Sequence, residues 1–500
     1  MNRYTIKIIA FLIIITWSVG CKKTFDINKN PNQVTEDQII TELIVPSALH
    51  MSGDLIREHR LLTFWMGFWS ANPTFAPNPA EGLYVVTPTT PEFQNTWQLS
   101  YSVLYDLNTI EQKAPTEELD FYAGIAKTIK AKLFQDLVDL YGNVPYSEAF
   151  NKEISTPKYD KGEDIYNDLQ KVLDEAISIF KEKTAPLKAQ KVDIMFSGDA
   201  NLWIKYANTL KLKLLINQSE ITGVNPTAEL NKITSNGGVL MSGQTAKINP
   251  GYQNATGQQS PFYRQFGYDV NGAESGQNIR ANNYLLNVYK QNNDARMPRV
   301  FKPAAAPLNP SDPYTVTDLG APSSSTLLAQ NVSYVGPGLA RSPAQNHWLT
   351  TSVESMFLYA EAVARGWLAG DEKMAYENAV RESFIWLEVP SAVAKANEYL
   401  QESAIAKWEN SGTTVAQKTR FIGYQKYIAM AGVNSIEAWN LYRRLGVPVN
   451  PPLSVNPNKL GNGNLPSRYL YPSREYAVNA TNVLAEGTIN QFTSKVFWDK

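Results

Sequence analysis

Apolar side chains recur along this chain at spacings of three and four, over stretches long enough to define helices with one buried face. Phe121, Ile125, Ile129, Leu133, Leu137 and Leu140 form such a stripe, and Gly142 follows as a stop. Asp160 is placed to open a second helix, with Glu163 in the capping-box position. Ile165, Leu169, Val172, Ala176 and Ile179 then share a face until Lys181, Lys183 and Pro186 end it. Leu202, Tyr206, Leu210 and Leu214 predict a third helix. Val353, Phe357, Ala360, Ala364 and Trp367, closed by Gly370, predict a fourth. Asn434 is placed to cap a fifth, with Glu437 reaching back. Ile436, Trp439, Leu441 and Tyr442 supply its apolar cover before Arg443, Arg444, Gly446 and Pro448 terminate it. Helices of this length point to hairpins packed side by side, although no strict repeat of roughly 34 residues with a tetratricopeptide consensus emerges.

Three stretches break the helical period. Residues 237–280 are rich in Gly, Gln, Asn and Ser with interleaved aromatics, residues 302–346 in Pro, Ser, Ala and Gly, and residues 447–472 in Pro, Asn and Gly. Each is longer than a simple connection, and long loops in compact proteins are often functional. The predicted class is therefore mostly α, with long irregular loops and little β structure.

The first twenty residues read differently. Arg3 and Lys7 make a basic start, and Ile8 to Trp17 is apolar except for Thr16, which suits a signal peptide and is too short to span a bilayer. Ser18, Val19 and Gly20 then precede Cys21, the single cysteine. Small residues before a cysteine suit lipoprotein processing, with cleavage at Cys21 and acylation of its thiol. Leu is usual three places before such a cysteine, and Ser18 stands there. An exported chain with one cysteine has no disulfide framework, so a lipid gives Cys21 a role. The expected organisation is a signal peptide over 1–20, a lipidated spacer over 21–36 and a single helical body over 37–500 carrying the three insertions. Attachment to the membrane is expected through the lipid anchor only.

The formal charge is −1, and removing Arg3 and Lys7 leaves −3, which gives no basic face for nucleic acid. His50, His59 and His347 have no metal-ligand spacing, so neither a metal nor a cofactor is expected. No phosphate-binding loop, dinucleotide fingerprint or nucleophile elbow occurs. Asp136 and Asp139, three apart on a helix, read as a solvated or ion-paired flank. Glu354 and Glu361 read as partners for Arg365 or Arg381.

The aromatics carry the remaining chemistry: 11 Trp and 26 Tyr. Trp65, Phe68 and Trp69 precede a Pro-rich stretch, and Tyr252, Phe262, Tyr263, Phe266 and Tyr268 punctuate a polar loop. Ring faces with nearby amides are what sugar binding uses, the pyranose C–H face on the ring and the amides on the hydroxyls. Trp65, Trp69, Asn72, Tyr84, Tyr263, Phe266 and Tyr268 are the candidate ligand contacts. Each can equally pin its loop to the body. Helix-borne Trp203, Trp367 and Trp439 read as core.

Four ordered stretches resemble one family. FQDLVDLYGNVPYSEAF (134–150), GDANLWIKYANTLKLKLLIN (198–217), SVESMFLYAEAVARGW (352–367), and YQKYIAMAGVNSIEAWNLYRRLGVP (424–448) with LPSRYLYPSREYAVNATNV (465–483) are similar to the SusD/RagB nutrient-binding outer-membrane lipoproteins, in their SusD-like second branch. The resemblance implies helical pairs of tetratricopeptide type and docking on a SusC-like TonB-dependent transporter at the cell surface. It also implies an oligosaccharide or peptide ligand and no catalysis. No motif maps the family's aromatic site residue by residue. The PYSEAF turn has a structural reading: Gly142 ends a helix, Pro145 cannot extend it and Tyr146 packs back. Two other readings remain open: a secreted glycan hydrolase, and a transporter-associated scaffold with no ligand of its own.

Overall fold

The computed structural model describes residues 40–55, 60–72, 74, 79–276 and 279–500. Cys21, the 21–36 spacer and His59 lie outside them. Among the described residues, ten helices exceed ten residues: α1 (Thr41–Asp54), α2 (Pro91–Lys113), α3 (Asp120–Tyr141), α4 (Gly162–Glu182), α5 (Ala200–Asn217), α6 (Ser352–Ala364), α7 (Glu372–Trp386), α8 (Ala392–Glu402), α9 (Val415–Ala429) and α10 (Ser435–Leu445). Neighbours in sequence pack as antiparallel pairs: α2 with α3, α3 with α4, α4 with α5, α6 with α7, α7 with α8. The α5–α6 contact joins the two runs, and α10 packs on both α3 and α9. This is a tetratricopeptide-like scaffold.

The periodic stripes become the buried faces. In α4 the buried aliphatic and Phe positions are Ile165, Leu169, Leu173, Ala176, Ile177 and Phe180, while Val172 and Ile179 flank them. The caps depart more from expectation. Asp160 does not cap α4; its carboxylate accepts from the backbone N–H of Tyr146 and Ser147, at 3.1 and 2.8 Å, and so caps the PYSEAF turn instead. Gly142 does end α3, at φ +80°, and Tyr146 packs edge-on against Phe134 with centroids 4.7 Å apart. Asn434 caps α10 by accepting from the Glu437 N–H. The Glu437 side chain does not reach back; it points into the core against Lys213 and Lys426. The fourth helix stops at Ala364, before Trp367, because Gly366 takes φ +70°.

Neither carboxylate of the Asp136–Asp139 flank is solvated, and Asp136 is ion-paired, to Lys132. Asp139 is fully buried and accepts from Tyr166, Asn217, Asn440 and the Trp498 indole. Four donors from four segments meet there because an isolated buried carboxylate is too costly to leave unbonded. Glu361 pairs with Arg365 and Arg444, while Glu354 takes Lys213 and not an arginine.

The insertions are tied down by three two-stranded antiparallel ribbons. Strand β1 (Trp69–Ala71) pairs with β3 (Ile279–Ala281), β2 (Ala246–Ile248) with β6 (His347–Thr350), and β4 (Phe301–Lys302) with β5 (Tyr334–Val335). The 447–472 excursion lies over Tyr84: the Ser454 N–H donates to the Tyr84 hydroxyl at 2.7 Å and the Val455 N–H to the Leu319 carbonyl at 2.9 Å.

Candidate ligand-binding site

Residues 261–268 build the exposed part of the site. Pro261 opens a single-turn helix, Pro261–Phe266, whose φ it presets. One helical face sends Phe262 and Phe266 inward, their rings 5.1 Å apart, with Phe262 also 5.0 Å from Trp348. Tyr263 therefore lies on the outer face, half-buried. Gly267 turns the chain, and Tyr268 comes back beside Tyr263 with ring centroids 6.0 Å apart and planes inclined by 49°.

The Tyr268 ring is braced from the other insertion. Lys302, on β4, donates to the Tyr268 hydroxyl at 2.7 Å and lies 4.8 Å from its ring centroid. Lys302 also pairs with Glu274 at 3.1 Å, which in turn takes Arg280 at 2.8 Å. Burial works against the Lys302 ammonium, yet the bonds to Tyr268 and Glu274 outweigh it and hold its pKa above the ordinary lysine range. Tyr334, on β5, stands 6.2 Å from Tyr268 and donates to the Gly267 carbonyl at 3.1 Å. Its hydroxyl accepts from the Gly276 N–H at 2.9 Å. The two partly exposed rings are thus held in place by protein contacts, an order that would lower the cost of binding a ligand there.

The other sequence candidates sit differently. Trp69 and Phe266 line the wall of a narrow cavity of about 20 Å³ beneath the Tyr263 helix; Trp69 also packs edge-on against Phe301 at 4.9 Å. Trp65 is 1 % exposed and packs against Trp439 and Tyr469. Tyr84 is 0 % and Asn72 2 % exposed, and the Asn72 side chain accepts from the Thr74 N–H. The TFWMGFWS stretch is not a loop: Arg60–Trp65 is helical and Trp69–Ala71 is β1, so both tryptophans are committed to packing. As ligand contacts, Trp65, Trp69, Tyr84, Asn72 and Phe266 are corrected on this ground, since none offers an open face. Tyr263 and Tyr268 are partly exposed.

Set on this scaffold, the sequence comparison decides the family. Residues 28–472 match the SusD-like family described as starch-binding and associating with the outer membrane. The chain belongs to the SusD-like family. A comparison with curated proteins gives no match. Solved structures agree on the fold. A SusD homologue from Bacteroides fragilis superposes with a TM-score of 0.75 at 21 % identity, covering 93 % of this chain and 100 % of its own. A chitin-binding protein gives a TM-score of 0.75 at 25 % identity, over 92 % and 99 %. A chitin-binding SusD homologue from Flavobacterium johnsoniae gives 0.72 at 20 %, over 91 % and 98 %. In this SusD-like protein, no group of His, Cys, Asp and Glu suited to a metal ion occurs among the described residues. No described helix is long and apolar enough to cross a membrane.

Sequence reasoning missed Glu274, Arg280, Lys302 and Tyr334. Lys302 and Tyr334 belong to an insertion marked as long and irregular, but only the β4–β5 pairing brings them to Tyr268. No local signal carries that register.

Proposed function

We propose that this protein is a lipid-anchored glycan-binding protein of the cell surface. It captures oligosaccharide on Tyr263 and Tyr268 and hands it to a SusC-like TonB-dependent transporter without chemical change. The observation that carries the reading is the braced, half-exposed tyrosine pair, placed where two insertions meet in a chain of a family described as starch-binding. The chitin-binding description of a relative at 25 % identity supports a sugar over a peptide. Two tilted rings make a shallow platform, and a shallow platform suits a step in which release must follow capture.

Affinity electrophoresis of the 22–500 chain in gels containing soluble starch or glycol chitin tests this. Retardation is expected in at least one gel, and Tyr263→Ala/Tyr268→Ala should lower affinity by about tenfold or more, with an unchanged melting temperature. Equal retardation of the variant would remove the site. Shorter glycan products on incubation would remove the non-catalytic reading. Membrane extracts should yield a transporter co-purifying with the tagged, lipidated chain.

A further inference from the structure

The helical scaffold carries a second cleft, of about 450 Å³, between α2, α3, α4 and the turn that follows α3. That volume lies within the roughly 300–1,000 Å³ of small-ligand sites. It shares no residue with the Tyr263–Tyr268 cluster. Phe134 forms its floor, with Tyr146 edge-on at 4.7 Å and Phe150 at 6.3 Å. Around these rings stand the amides of Asn108, Gln112 and Asn151. Gln112 makes no hydrogen bond among the described residues, and the amide nitrogens of Asn108 and Asn151 have no acceptor there.

The charged groups at the rim already have partners, and the Lys130 ammonium stands 5.5 Å from the Phe150 ring centroid. Lys130 donates to Glu111 at 2.6 Å and to the Asn108 side-chain oxygen at 3.1 Å. Asp168 accepts from the Tyr146 hydroxyl at 2.7 Å. An anion would meet two carboxylates and a neutralised lysine, and an aliphatic chain would meet a mostly polar wall. A neutral polyol meets ring edges and faces with free amide donors and acceptors, the combination a pyranose needs. The turn is also rigid. The Asp160 carboxylate caps it, and the Tyr101 hydroxyl donates to the Pro145 carbonyl at 2.6 Å. The cleft is therefore formed in advance of a ligand.

We propose that this cleft is a second carbohydrate subsite, taking an uncharged sugar unit on Phe150 with Asn108, Gln112 and Asn151 on its hydroxyls. The proposal rests on the glycan-binding reading above and adds a distinct place on the molecule. Two separated subsites would let one glycan chain be held at two points, or two chains at once, raising retention without tightening either contact.

Hydrogen–deuterium exchange of the 22–500 chain with millimolar maltoheptaose and, separately, chitohexaose reads the two places independently. Protection of the 146–151 segment is expected in the native chain and in Tyr263→Ala/Tyr268→Ala alike. Gln112→Ala, an exposed substitution, and Phe150→Ala should each weaken that protection by about tenfold in ligand concentration; a matching melting temperature for Gln112→Ala keeps the result independent of folding. Protection confined to the 262–268 segment would overturn this inference and leave the proposed function standing. Protection at neither segment by either sugar would overturn both. Protection at 146–151 by a short neutral peptide and by neither sugar would overturn the assignment of ligand class.

Discussion

Replacing Glu437 by Gln should cost this protein about 3–5 kcal/mol. Glu437 stands between two ammonium groups, Lys213 at 2.9 Å and Lys426, and Lys213 also pairs with Glu354 at 3.1 Å. All four side chains are at most 5 % exposed, so the cluster is neutral only when both carboxylates are charged. Burial pushes the Glu437 carboxyl up, but Lys213 and Lys426 reverse this and hold it below the ordinary carboxylate range. Its contribution is thus fully present above about pH 4.5 and is lost only as pH falls well below that. At an effective dielectric of about 20, a charge pair near 3 Å is worth roughly 5 kcal/mol. The lower desolvation cost of Gln returns part of it, which leaves the about 3–5 kcal/mol typical of breaking a buried pair. Gln preserves the side-chain shape, and the Glu437 N–H that Asn434 accepts is unaffected, so the cap of α10 survives. At about 2.1 cal/mol/K per residue, a chain of this length should melt about 3–5 °C lower. Urea unfolding at pH 7, followed by tryptophan fluorescence, gives the free energy and calorimetry the temperature. Lys426→Met/Glu437→Leu removes the partner charge as well and should recover at least half the loss. A single variant within 1 kcal/mol of the native chain, or a double variant no better than the single, would refute the argument.

Trp65→Ala should destabilise by about 3–5 kcal/mol, as for other fully buried aromatics, whereas Tyr268→Ala should change urea stability by less than about 1 kcal/mol. His347 is buried with its Nε2–H donating to the Gly53 carbonyl at 2.7 Å, and burial lowers its pKa to about 4. The neutral form therefore stabilises the fold above about pH 6.5, and this is lost as pH falls toward 4, by about 3 kcal/mol. The stability difference between the native chain and His347→Gln should shrink by that amount from pH 7 to pH 4 in urea titrations. Cys21→Ala should release the protein from membranes in detergent-free washes with its circular dichroism unchanged; a variant that stays bound would disprove the lipid anchor.

The scaffold was legible because helix formation is local. The stripe from Phe121 to Leu140 meets its own turns at i, i+3 and i+4, so the sequence carries the geometry of α3 directly. Gly142 and Asn434 were legible for the same reason, since a stop or cap acts within a few residues. Asp160 and Glu437 show where that logic stops. Each has the spacing of a local capping residue, but a competing partner satisfies its carboxylate better: two backbone amides in the PYSEAF turn for Asp160, two buried lysines for Glu437. Lys213 and Glu437 are far apart in sequence, and no pattern along the chain announces their meeting. Asp139 follows the same rule, its four donors coming from Tyr166, Asn217, Asn440 and Trp498.

The exposure of the candidate site residues was legible only in part, and the dividing line is again range. Choosing aromatics beside a polar or Pro-rich stretch as ligand contacts considers only nearby cover. Trp65 is covered by Trp439 and Tyr469, Trp69 by Phe301, and Tyr84 by the Ser454 segment, all remote in sequence. Tyr263 escapes because a local pattern decides it. Pro261 starts a turn of helix, Phe262 and Phe266 are four apart and take the inner face, and Tyr263 is left outside. That i, i+4 pair was readable as it stands, and it separates Tyr263 from Phe266 without any structure. Tyr268 needs one long-range fact, the β4–β5 register that delivers Lys302 and Tyr334. A surface made of two insertions is thus visible in sequence only through the residues whose exposure their own turn controls. The bracing of Tyr268 comes from pairing that composition does not record.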